Sequence, residues 1–168
     1  MKHTLYMPSH CATAPRPDLV WHYTTAEHLS KILATGAILQ ATRYIPQNEH
    51  PIVWFSKNQA YEATACKGLR DHNGRTATFA EMAASGIARI GISCKTPGLL
   101  MWPWLAIRAN MASTTRRSLE CAAREHGALP HQWCGVLGPV HAAHWVSIQT
   151  WSDTAWIEVE VPADSALA

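Results

Sequence analysis

Two short apolar runs, Leu19 to Tyr23 and Ile52 to Phe55, each end in groups that can hydrogen-bond: His22-Tyr23-Thr24 in the first case and Trp54-Phe55-Ser56 in the second. An imidazole and hydroxyls at strand ends can hold a polar ligand. The plainer alternative gives His22 a capping or core hydrogen-bonding role and leaves Trp54 as core. A second constellation is His131-Gln132-Trp133-Cys134 with His141-Ala142-Ala143-His144. These are two pairs of soft or imidazole ligands from which a zinc site could be built, although structural zinc more often uses CxxC pairs. Gly135 and Gly138-Pro139 between them would suit a turn with or without metal, so no metal ligand is assigned.

The elements that must position these groups can be read from periodicity and caps. Residues 1–18 carry Pro8, Pro15 and Pro17 and read as an arm, and one domain covers residues 19–168. Leu19 to Tyr23 is a strand. Thr24-Thr25-Ala26-Glu27 has the form of a capping box, Leu29, Ile32 and Leu33 recur at helical spacing, and Gly36 closes the helix. Ala37 to Thr42 can return as a strand. Ser56-Lys57-Asn58-Gln59 repeats the capping-box form and predicts a second helix through Cys66. A third, capped by Thr78 with Glu81, runs from Phe79 to Ser85 and stops at Gly86, before a strand over Ile87 to Ser93.

Leu99 to Trp104 is too proline-interrupted for a central strand and too apolar for open solvent, which suits a packed loop or an edge segment. Ser113 to Gly127 is a helix with its terminating glycine. The end reads as a hairpin, Trp145 to Trp151 and Trp156 to Val161, around Ser152-Asp153-Thr154. Alternation puts Trp145, Ser147, Gln149 and Trp151 on one face of its first arm.

Composition narrows the class. The 168 residues are 48% hydrophobic and 15% charged, a balance that suits one globular domain with a sizeable core. A net charge of +2 is too small to imply a nucleic-acid partner. Five cysteines without a CxxC pair suggest reduced thiols and a cytoplasmic setting, and none is assigned a catalytic role. No run approaches the ~20 apolar residues of a membrane helix, and the first residues lack the apolar core of a secretory signal. Eight tryptophans are unusual, and several could line a groove, with core packing as the alternative.

The order His22-Tyr23-Thr24, helix, Gly36, then Val53-Trp54-Phe55-Ser56 resembles the ADP-ribosyltransferase superfamily, most of all its small bacterial His-x-Thr branch. The likeness covers about residues 19–66. It implies a single-domain α+β fold, a split antiparallel sheet of about six strands with flanking helices, and NAD as a substrate held between the halves. In such proteins His22 would hold the adenosine ribose, with Tyr23 and Thr24 as further hydrogen-bonding groups. Trp54 would stack on nicotinamide where relatives often carry Tyr, and Ser56 would be the small hydroxyl beyond it. Arg89, beside a predicted strand, could meet the pyrophosphate.

The third position of the pattern calls for a carboxylate that binds the nicotinamide ribose and stabilises an oxocarbenium-like transition state. Strand order puts Gln149 there, with Glu158 and Glu160 as alternative acids, so the catalytic candidates are Gln149, Glu158 and Glu160. The resemblance implies mono-ADP-ribosylation of a macromolecular target, protein or nucleic acid, as in bacterial toxins or phage-conflict factors with a neutralising antitoxin. An amide at the acid position favours an alternative, an NAD-binding module with little or no turnover. A zinc-stabilised interaction domain and an NAD-dependent RNA 2′-phosphotransferase rank below both.

Overall fold

A computed structural model of the chain describes residues 14–41, 45–65 and 78–159. The domain is α+β, and every strand pairing in it is antiparallel. Along the chain run β1 (Leu19–Thr25), α1 (Ala26–Thr35), β2 (Ala37–Ile38), β3 (Val53–Ser56), α2 (Phe79–Ser85) and β4 (Ile87–Ser93). They are followed by β5 (Leu100–Met101), α3 (Trp104–Arg108), α4 (Ser113–His126), β6 (Trp133–Val136), β7 (Val140–His141), β8 (Trp145–Trp151) and β9 (Trp156–Glu158). Seven strands form one sheet in the order β5-β6-β3-β1-β4-β8-β9, while β2 and β7 make a separate ribbon.

The caps explain most boundaries. Thr25, not Thr24, caps α1 by accepting from the His28 N–H, so the capping-box frame slips by one residue and Thr24 stays in the strand. Gly36 ends α1 at φ 64, the left-handed conformation that costs glycine little. For α2 the full box forms between Thr78 and Glu81. α4 has no side-chain cap of its own at Ala112; Glu49, from a distant loop, accepts from the Ala112 N–H and the Thr115 hydroxyl.

Several expectations give way. No helix follows Ser56: residues 57–65 hold only bends and turns, although the Ser56 hydroxyl accepts from the Asn58 N–H as a cap would, because the carbonyls of residues 58–60 are taken by Tyr23, Arg89 and Trp156. Cys66, the expected end of that helix, lies outside the described residues. The returning strand is two residues long, and Thr42 also lies outside them. Leu100–Met101 forms an edge strand, one of the two forms expected of that segment, and a short helix, α3, follows it.

Two faces of the main sheet carry different cores. On the first, Val20, Val53, Phe55, Ile90, Ile92, Cys134 and Ile148 pack under Leu29 of α1 and Ile38 and Val140 of the ribbon. On the second, Leu19, Trp21, Tyr23, Ile87 and Trp156 pack with Tyr61 and Met82, while Trp133 packs with Trp102 and Ala123. The β4–β8 register shifts beside Gly91, pairing Gly91 with Ser147 but Ile92 with Trp145. That bulge leaves Val146 exposed and turns Trp145 onto the first core, off the face of Ser147 and Gln149 where strict alternation placed it. The larger apolar side chain is thereby the one sheltered.

Candidate functional site

The sheet is continuous in strand order but not in hydrogen bonding. β1 pairs with β4 at seven positions and β3 with β6 at four, yet β1 and β3 share only the bridge Trp21 to Ser56. Two ladders, β5-β6-β3 and β1-β4-β8-β9, therefore meet at one point and part beyond it. In that seam the His22 ring reaches across, its Nδ1 lying 2.9 Å from the Trp54 carbonyl oxygen. A carbonyl can only accept, so Nδ1 carries the hydrogen, and the neutral ring presents Nε2 as an acceptor. Burial pushes the His22 pKa below its ordinary value, against a smaller opposite effect of the Trp54 carbonyl. Among the described residues Nε2 has no partner.

Thr24 shares the His22 face two residues on, and its hydroxyl too has no partner among the described residues. Phe55 meets the His22 ring edge-on at 5.8 Å. An acceptor nitrogen, a hydroxyl and an aromatic edge along one seam are suited to a neutral polyol such as a ribose. They offer no cation for a phosphate.

Trp54 and Ser56 do not join this group. The Trp21–Ser56 pairing fixes the faces: Ser56 and Trp54 point with Trp21, and His22 points the other way. The Trp54 ring packs against Trp102 and Trp133 at 6.2 Å from each, in the second core. Ser56 is buried and donates to Glu62 at 2.7 Å while accepting from the Asn58 N–H, and Thr64 donates to the other Glu62 oxygen. The aromatic that shares the His22 face is Phe55.

Tyr23, Arg89, Gln149 and Glu158 line up across the sheet on that second face. Arg89 is 1% exposed, and its guanidinium lies between the rings of Trp21 and Trp156, 3.9 and 4.3 Å from their centroids. Gly91, opposite Trp21, makes room for that indole, since a Cβ there would fall 2.8 Å from Trp21 Cζ3. Arg89 Nε donates to Gln149 Oε1 at 2.8 Å, and Gln149 Nε2 and the Ser147 hydroxyl both donate to Glu158. Arg89 and Gln149 thus serve each other in the interior, away from His22. Glu158 is exposed on the strand edge, and Glu160 lies outside the described residues.

One amide was missed by sequence reasoning. Gln132 stands immediately before β6, its carbonyl accepting from the Lys57 N–H, and its side-chain oxygen is buried with no partner. It closes the 3-10 turn Pro130–Gln132, and through its carbonyl it stands opposite Lys57, the residue that follows β3, where the β3–β6 ladder begins. A lone buried acceptor costs about 1–3 kcal/mol unless something donates to it. Only the buried, unpaired oxygen distinguishes Gln132, and no local pattern announces that. Trp133 Nε1 is also buried without a partner, and its ring meets Trp102 edge-on at 5.4 Å in the cluster of the second face.

The zinc constellation is not assembled. Among the described residues no three His, Cys, Asp or Glu side chains gather, and Cys134 is sealed in the first core while His131, His141 and His144 are exposed. Alternation around the short ribbon and turns scatters the four side chains. No family model, curated protein or solved structure matches this chain.

Proposed function

We propose that this domain binds NAD along the seam between β1 and β3, as an ADP-ribosyltransferase-like protein. The observation that carries the reading is the single-bridge seam, in which the buried His22 ring has an acceptor Nε2 without a partner among the described residues, on the strand face that also carries the Thr24 hydroxyl. A ribose offers two adjacent hydroxyls, and a neutral imidazole accepts from one of them without needing a charge. The order along the chain also supports it, since β1, α1 with its closing Gly36, and β3 follow one another as the resemblance implies. Gln132 replaces Gln149 as the amide assigned to the reacting ribose, because Gln149 is held by Arg89 and Glu158.

In transfer, the bond between the ribose C1′ and the nicotinamide nitrogen breaks and its electron pair stays on nitrogen. Nicotinamide leaves neutral, and C1′ is captured by a nucleophile of a macromolecular acceptor, whose proton passes to solvent. Gln132 Oε1 would accept from a ribose hydroxyl but brings no negative charge to the developing cation. A second reading, a binding module without turnover, is favoured by one observation: the only carboxylate on a described strand is Glu158, and it faces away from His22. Calorimetric titration with NAD, joined to an assay of nicotinamide release, separates the two. Binding with release supports transfer, binding alone supports the module, and no binding removes both.

A further inference from the structure

We infer that Tyr23 and Arg89 are positioning residues that hold the seam closed around His22 by clamping the backbone of residues 58–60 from the opposite face of the sheet. Two ladders joined by one backbone bridge need some other connection. It comes from the segment that continues β3. Three consecutive carbonyls there each accept from a side chain of the other ladder: Asn58 O from the Tyr23 hydroxyl at 2.6 Å, Gln59 O from Arg89 Nη1 at 2.6 Å, and Ala60 O from Trp156 Nε1 at 2.7 Å. Gln59 Oε1 accepts in addition from Trp21 Nε1 at 3.1 Å. The segment has no regular structure of its own, so these contacts set where it lies.

Arg89 suits this role because it cannot move freely. Its guanidinium is stacked between two indoles, its Nε is held by Gln149, and its Nη1 reaches Gln59 O and, at 3.5 Å, the Tyr23 oxygen. A planar fork can span such partners where the single nitrogen of lysine cannot. Tyr23 and His22 are consecutive, so one grips Asn58 O from the second face while the other bonds Trp54 O from the first. Loosening residues 58–60 therefore frees β3 on the side where His22 is sheltered. Arg89, which the resemblance directs at a pyrophosphate, acts in this account without touching a ligand.

The test needs no ligand at its core. Tyr23→Phe removes one hydroxyl and keeps the ring contacts with Tyr61 and Trp156, and Arg89→Lys keeps the charge. Proton NMR titration of the His22 ring, assigned with a His22→Gln variant, is followed in the wild type and both variants. An opened seam admits water, so the His22 pKa should rise toward its ordinary 6.5 in both, with faster amide exchange over residues 57–64. Unchanged His22 titration in both variants overturns the inference, as does unchanged exchange over 57–64.

The NAD arm rests on the function proposed above and fails separately. If the seam is the nucleotide site, each variant should weaken NAD binding about fivefold, the worth of one hydrogen bond. If His22 titration moves while NAD affinity does not, or if the wild type binds no NAD, the proposed site is wrong and the clamp stands on the titration.

Discussion

Arg89 donates from Nε to the side-chain oxygen of Gln149 at 2.8 Å, on the face of the sheet that His22 does not see. Two residues that the sequence offers as ligands for one nucleotide are instead ligands for each other. Gln149→Ala should accordingly act on stability. It leaves a buried cation short of one acceptor, which predicts a loss of about 1–3 kcal/mol in urea or guanidinium unfolding. NAD affinity of the folded variant should fall no further than in Arg89→Lys, because Gln149 acts only by holding Arg89.

Gln132 should behave in the opposite way. Gln132→Ala deletes a buried oxygen that has no partner, so stability should be kept within about 1 kcal/mol, or rise, while NAD binding falls. Gln132→Glu restores the charge that the transfer chemistry wants. Nicotinamide release by that variant should exceed that of the wild type, and a rate no higher than the wild type's would argue against Gln132 as the ribose contact.

His22 gives the protein a pH dependence with a definite sign. Folding lowers its pKa below 6.5 through burial, so between the folded and unfolded values the unfolded chain binds more protons. The stability tied to His22 is complete above about pH 6.5 and is lost as the pH falls beneath it. Denaturation midpoints measured from about pH 7 down to pH 5 should drop less steeply in His22→Gln than in the wild type. NAD affinity should fall only at lower pH, once the folded ring itself takes up a proton below its lowered value, because protonated Nε2 can no longer accept.

Cys134 is predicted to be inert. Burial pushes its thiol up to about 12, leaving almost no thiolate near neutrality. In a native alkylation experiment read by peptide mass spectrometry, Cys94 and Cys121, both partly exposed, should label before Cys134. Cys134 should label only when the chain unfolds.

Much of the fold was legible because local signals and tertiary demands agree. α2 has its capping box and terminal glycine, α4 its periodicity and Gly127, and β4 its apolar run. The segment after Ser56 reads locally like the start of α2, with a hydroxyl and a side chain three residues on that can return the bond. What separates them are the donors of Tyr23, Arg89 and Trp156, which take the carbonyls a helix would use. Those donors are distant in sequence and invisible to a window.

The site was legible only in outline, for a related reason. His22 and Trp54 each stand at a plausible strand end, but which faces they take depends on the Trp21–Ser56 register, a long-range pairing that neither run encodes alone. The one-residue bulge beside Gly91 likewise moved Trp145 to the other core.

The central claim is that a nucleotide lies in the seam between β1 and β3. Amide chemical-shift mapping during an NAD titration tests it most directly. The account predicts that the largest shifts fall on Tyr23, Thr24, Trp54, Phe55 and Gln132, and that His22→Ala abolishes them. Shifts confined to the second face, around Arg89 and Gln149, or no shifts at all would contradict it.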